Sequence, residues 1–175
     1  MSGGPRAVRS RSMANEIETE RLLLRQLDVE EARALATGRE DGLLPAAPGY
    51  PLEGTLASAG MVVRRADAKV RMGGFGSYQI VRREDGLVIG DIGFHGPPDS
   101  RGAVTVGYGL APEARGSGYA TESLVGLAAW ALAQPQVSSV CADANLDNLA
   151  SQRVMERAGM RFVNETTEKR FYRLP

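Results

Sequence analysis

The sequence predicts a mixed α/β fold in a single domain, on three observations. Segments that alternate apolar and polar residues, as half-buried strands do, are interleaved with segments whose apolar residues recur at helical spacing. Two of the strand-like segments meet at Glu84-Asp85-Gly86, a hairpin signal. The turn Arg115-Gly116-Ser117-Gly118-Tyr119-Ala120 lies between a strand pattern and the longest helix pattern, the kind of junction where α/β sheets place their ligands. The 175 residues fit one domain of the usual size of about 100–200 residues.

Residues 20–25 read as a first strand. Asp28 is placed to cap a helix over Val29–Ala36, which Gly38 stops. From Asp41 to Gly54, three prolines and three glycines predict an irregular loop. A weakly patterned helix follows over Leu56–Ala66, and Gly73-Gly74 breaks the chain again. Ser77–Arg82 and Leu87–Phe94 form the hairpin strands, and His95 to Gly102 turns into a strand over Ala103–Leu110. In the long helix Ala120, Leu124, Leu127, Ala128, Ala131 and Leu132 share a face. Val137–Ala144 is a strand, Asn148–Ala158 a short helix, and Met160–Asn164 and Lys169–Leu174 close the sheet.

Composition bounds the function. An apolar fraction of 43% supports a packed core, and zero net charge leaves no electrostatic footprint for nucleic acid or an acidic membrane. No run approaches the roughly 18 apolar residues of a membrane helix. The single cysteine, Cys141, rules out an internal disulfide framework and fits a reducing cytoplasm. Cys141 and Trp130, on apolar segments, read as packing residues. Residues 1–16 hold three arginines and read as a floppy basic tail, leaving 17–175 as the folded domain.

A glycine turn that feeds a helix leaves backbone N–H groups unpaired at the positive end of the helix dipole, which binds phosphate. Arg115 adds a charged donor beside it. A nucleotide-triphosphate loop is excluded, since no Gly-Lys-Ser/Thr string exists and the only lysines are Lys69 and Lys169. A dinucleotide fingerprint is a poor match, because Gly107-x-Gly109 is followed by Pro112-Glu113 and no third glycine.

The spacing Arg-x-x-Gly-x-Ala from Arg115 through Gly118 to Ala120 resembles the pyrophosphate signature of the GCN5-related N-acetyltransferases (GNAT). Asn148-Leu149-Ala150-Ser151, and the turn Arg157-Ala158-Gly159-Met160-Arg161-Phe162, are similar to the branch that acetylates ribosomal-protein N-termini. Ile17–Arg25 resembles that branch's first strand, so the likeness runs from Ile17 to the C-terminus, loosest over residues 38–75. The resemblance implies a mostly antiparallel sheet whose strand ending at Leu110 splays from the strand at 137–144. It implies acetyl-CoA as co-substrate, its diphosphate on the amides of Gly116, Ser117, Gly118, Tyr119 and Ala120 beside Arg115. It further implies that the pantetheine arm bonds to Gly109 and Leu110, and that Asn148 contacts the coenzyme. An amide near Leu110 would hold the oxyanion, and Ser151 would protonate the departing thiolate.

Asn148 can equally be only a helix cap and Ser151 only a surface hydroxyl. One turn after Ser151 stands Met155, which cannot donate, so Ser151 is the hydroxyl on that helix face. The position of the base that relatives carry on the strand before this helix holds Cys141. Asp91 and His95, the only histidine, are the candidate bases, His95 also reading as a turn residue. Glu113 would brace the loop or contact Arg115. The expected activity is acetyl transfer to a primary amine, on a peptide N-terminus or a small molecule, by direct attack in a ternary complex. A non-catalytic acyl-CoA-binding sensor or interaction domain is the alternative. No metal is expected, and a homodimer is the default assembly.

Overall fold

The chain's apolar alternation is resolved into one mixed sheet in a computed structural model that describes residues 15–175. Its elements are β1 (Glu16–Glu18), β2 (Leu22–Gln26), α1 (Val29–Ala36), α2 (Glu53–Asp67), β3 (Ser77–Arg82), β4 (Val88–Phe94) and β5 (Ala103–Leu110). They continue with α3 (Tyr119–Leu132), β6 (Ser139–Asn145), α4 (Leu149–Arg157), β7 (Arg161–Glu165) and β8 (Lys169–Leu174). The strand order is β1-β2-β3-β4-β5-β6-β8-β7, and only β5 and β6 run parallel.

Strand parity sorts the side chains into two layers. On one face Leu22, Leu24, Ile80, Ile92, Val104 and Val140 are buried under α3, whose Leu124, Leu127, Ala128 and Ala131 supply the facing stripe. Met155 of α4 and Tyr172 of β8 extend the same core. On the other face α1 and α2 pack together over a small cluster of Leu27, Ala32, Leu35 and Ala59. Trp130 packs against Phe75 and Phe94, ring centroids 5.3 and 5.8 Å away, and a side chain at Gly74 would drive into its ring.

Three features of the sequence reading need correction. The first strand is two, because Thr19 N–H bonds to Leu22 O at 2.9 Å and turns the chain between β1 and β2. Glu16 pairs with Arg25 in β1, so the fold begins before residue 17; the tail reading for residues 1–14 lies outside the described residues. Helix α2 starts at Glu53, three residues early, because its cap runs backwards: the Thr55 hydroxyl accepts from Leu52 N–H at 3.1 Å. No Ser, Asp or Asn signals that start. The N-cap expected at Asp28 is present, with Glu31 N–H donating to its carboxylate at 2.9 Å, and the Glu31 side chain completes a capping box.

The sheet opens where β5 leaves β6. Only Ala103, Val104 and Thr105 pair with Ser139, Val140 and Cys141; from Val106 onward β5 has no partner on that side. Across the other edge, β5 stays antiparallel to β4 through Leu110. The chain therefore forms a splayed pair whose opening faces α3 and α4.

Candidate active site

The splay, the glycine turn and α4 surround one cleft of about 600 Å³. Its wall on β5 is Tyr108, Gly109 and Leu110; its floor is Arg115, Gly116, Gly118, Tyr119, Ala120 and Thr121; its far side is Asn148, Ala150, Ser151, Arg153, Val154 and Arg157.

The turn is built to leave amides free. Gly116 and Gly118 hold φ of 80° and 82°, a left-handed conformation that side-chained residues avoid. Gly118 caps α3 without any side-chain bond, and the first intrahelical acceptor it offers goes to Glu122 N–H at 3.0 Å. Among the described residues, Gly116, Ser117 and Gly118 N–H donate to no acceptor, and the first-turn amides of α3 have no intrahelical partner. Ser117 does not line the cleft; its carbonyl turns outward to Arg21 Nη1 at 2.9 Å.

Arg21 braces this turn from the β1–β2 connection. Its Nε donates to Glu122 at 2.7 Å, and its guanidinium stacks 4.5 Å above the Tyr119 ring. Glu122 also accepts from Thr19 Oγ1 and Arg21 N–H, each at 2.7 Å. Burial works against its ionisation, but these donors win and hold the carboxyl below the ordinary glutamate range. A lowered folded value means that this stabilisation is present above the unfolded glutamate pKa and is lost as pH falls through the folded one. Glu122→Gln is expected to cost about 1–2 kcal/mol at neutral pH, discounted for the exposure of Arg21. Thermal melts at pH 7.5 and pH 4 check this, the gap to wild type narrowing at the lower pH.

Backbone parity decides which groups of β5 face the opening. Ala111 N–H bonds to Ile89 O at 2.8 Å and His95 N–H to Thr105 O at 2.9 Å. The alternation between these bonds puts Gly109 in a hydrogen-bonded pair with Asp91. Gly109 therefore has no free backbone group for a ligand, contrary to the sequence expectation. Tyr108 and Leu110 direct theirs into the gap, one step beyond the last pairing with β6. Arg115 Nε donates to Leu110 O at 3.1 Å, leaving the Leu110 N–H open. Arg115 makes no ion pair with Glu113 among the described residues.

Asn148 caps α4, its Oδ1 accepting from Ser151 N–H at 3.1 Å, which leaves its amide NH₂ toward the cleft. Ser151 Oγ donates to the Tyr108 hydroxyl at 2.9 Å, and that hydroxyl donates to Ser151 O at 3.1 Å. Burial pushes the Tyr108 phenol up, opposed by the Ser151 bond, so it keeps its proton. The sequence reading did not foresee this hydroxyl pair, which joins residues 43 apart. It also missed Arg153 and Arg157, whose i,i+4 spacing was the available signal. Neither forms an ion pair among the described residues, so with Arg115 the cleft is basic.

The two candidate bases lie outside the cleft lining. His95 is an exposed turn residue: its amide is held by Thr105, its carbonyl accepts from Arg65 at 2.6 Å, and its ring lies over Gly107. Asp91 projects from the α1–α2 face and accepts from the Thr55 hydroxyl. Cys141 is half-buried beside the paired stretch of β5. Among the described residues no cluster of His, Cys, Asp and Glu could hold a metal, and no helix is long and apolar enough to cross a membrane.

Comparison with known proteins agrees with this geometry. Residues 21–161 match the family described as acetyltransferase (GNAT) domain. An uncharacterized N-acetyltransferase, YjdG of Bacillus subtilis, is 34% identical over 95 residues, 54% of this chain and 56% of that protein. The aligned part thus spans little more than half of that relative's length. Among solved structures, Mycobacterium smegmatis RimJ in complex with CoA-disulfide superposes with a TM-score of 0.66 at 17% identity, covering 93% of this chain and 88% of that one. RimL, a ribosomal L7/L12 alpha-N-protein acetyltransferase in complex with coenzyme A, gives 0.66 at 18%, covering 91% and 97%. An acetyltransferase from Agrobacterium tumefaciens gives 0.64 at 24%, covering 98% and 99%. At these identities the superpositions establish a shared fold.

Proposed function

The chain belongs to the GNAT acetyltransferase family, whose co-substrate is acetyl-CoA, and from that premise we propose that it moves an acetyl group from acetyl-CoA to a low-pKa primary amine, such as a peptide N-terminus, by direct attack in a ternary complex. The observation that carries this reading is that one cleft contains both the free amides of the α3 turn and the Tyr108–Ser151 hydroxyl pair.

The amides of Gly116 to Ala120, with Arg115, hold the diphosphate of the coenzyme. Arg153 and Arg157 supply further positive charge along α4. The pantetheine arm runs into the splay and extends the sheet against the free groups of Tyr108 and Leu110. Leu110 N–H then meets the thioester oxygen as it becomes an oxyanion; such a donor is worth about 2.7–4 kcal/mol in other acyl transferases. When the tetrahedral adduct collapses, Ser151 Oγ turns from Tyr108 to give its proton to the sulfur, and the Tyr108 hydroxyl turns from the Ser151 carbonyl to return one to Oγ.

The acceptor class follows from what the cleft lacks. Its lining contains no carboxylate and no imidazole, so proton removal is weakly assisted from this side. An α-amine, with a pKa of about 7.7–8.0, is partly free at neutral pH, whereas a lysine amine near 10.4 is almost wholly protonated. Thiol release measured with a peptide bearing only an α-amine and one bearing only a lysine amine tests this. The α-amine peptide is expected to turn over at least about tenfold faster at pH 7.5. Faster turnover of the lysine peptide overturns the assignment, and absence of thiol release with any amine favours a sensor role.

A further inference from the structure

Asp91 has no cation. Its carboxylate is largely buried on the α1–α2 face, where the Thr55 hydroxyl is its side-chain partner, and it makes no ion pair among the described residues. The groups around it do not compensate. Gln79, opposite it on β3, gives its amide oxygen to Arg25 Nη2 at 2.6 Å. Arg25 is the buried cation of this layer, and it is already neutralised by Glu31 at 2.6 Å. The Tyr50 hydroxyl is buried without a hydrogen-bond partner, and burial, with Asp91 and Glu31 adding to it, pushes that phenol up to about 12 even though Gln79 and Thr55 lie beside it. A carboxylate and an orphan hydroxyl withdrawn from water together, with no positive charge, form a costly arrangement for a fold to keep.

The position of this pair gives it a use. Asp91 is the cross-strand partner of Gly109, which lines the cleft at the mouth of the splay. Gly109 has no side chain, and the Leu52 side chain of the α2 cap fills the space beside it, its Cδ1 standing 2.9 Å from where a Cβ would be, so this leucine is the cover between Asp91 and the strand edge. Tyr108 and Ser151 approach the same stretch of β5 from the opposite face of the sheet.

We propose that Asp91 is the docking site and proton acceptor for the acceptor's ammonium, which enters from the α2 face while the thiol leaves toward α4. The proposal rests on the acetyl-transfer reading above. One proton passes from R–NH₃⁺ to the Asp91 carboxylate, freeing the nitrogen lone pair to form the C–N bond with the thioester carbonyl carbon. The C–S bond then breaks, and the sulfur takes a proton from Ser151. The nitrogen's second proton and the one on Asp91 both pass to water, and one returns to the hydroxyl pair, so a single proton is released per turnover. Burial raises the Asp91 pKa, partly opposed by Thr55, and narrows the gap to any ammonium; the gap left is smaller for an α-ammonium, whose own pKa is about 7.7–8.0, than for a lysine near 10.4.

Asp91→Asn tests the assignment, because asparagine can still accept from Thr55 while the charge is lost. With trialanine amide as acceptor, kcat/KM is expected to fall at least about a hundredfold while the acetyl-CoA Kd by calorimetry stays within about twofold of wild type. Asp91→Glu should recover part of the loss. The melting temperature of Asp91→Asn at pH 7.5 should equal or exceed that of wild type, since a carboxyl with a raised folded pKa costs stability once ionised. Trialanine amide should also bind the wild-type CoA complex at least about tenfold more tightly than the Asp91→Asn complex. Turnover within threefold of wild type, equal binding of the peptide amide, or a variant that melts lower and loses acetyl-CoA affinity would each overturn the proposal. Wild-type protein that binds the peptide amide through Asp91 yet releases no thiol would sink the transferase reading instead.

Discussion

Gly118→Val is expected to weaken acetyl-CoA binding by at least about a hundredfold, equivalent to about 2.8 kcal/mol. Three effects add. The backbone at φ 82° is strained for any residue with a Cβ, at about 1–2 kcal/mol. The Cβ would lie 3.4 Å from Arg21 Nη2, so a branched side chain pushes on the brace that holds Ser117 and Tyr119. Its methyls also occupy the cleft floor where the diphosphate must approach the amides. Calorimetry with acetyl-CoA reads the loss directly, and an affinity within threefold of wild type would contradict the cradle.

Ser151→Ala carries the other large effect, on rate and not on binding. General acid help at a leaving group is worth about 10²–10⁴-fold, so kcat is expected to fall by about two orders of magnitude with the acetyl-CoA Kd unchanged. Tyr108→Phe should be milder, because the Ser151 proton remains, although its resupply from the phenol is cut. Single-turnover measurements separate these outcomes from product release. If Ser151→Ala keeps kcat within threefold, the thiolate departs without this hydroxyl and the 2.9 Å pair is only a packing contact between α4 and β5.

Local chemistry explains which parts of the site were legible in the sequence. Gly116 and Gly118 announce a turn wherever they stand, and both have the positive φ that makes glycine necessary there. Asp28 and Asn148 are caps whose partners lie within three residues, so reading them needs no tertiary knowledge. The strand Ala103–Leu110 is carried by alternation, and Ser77–Arg82 by the hairpin turn that follows it. What escaped depends on contacts far apart along the chain. The Tyr108–Ser151 pair, the Arg21–Glu122 brace and the Thr55–Asp91 bond join residues 43, 101 and 36 apart. Gly109 illustrates a subtler limit: its strand was evident, but which backbone groups face the gap depends on register with β4. The α2 cap was missed for a chemical reason, since Thr55 reaches back to Leu52 from inside the helix.

The most direct test of the cradle is an amide-resolved NMR titration of the ¹⁵N-labelled full chain with acetyl-CoA. The largest shifts are expected at the N–H groups of Gly116, Ser117, Gly118, Tyr119 and Ala120, saturating together with that of Leu110. Binding that leaves those five resonances in place while shifting others would show that the diphosphate is held elsewhere and contradict the account.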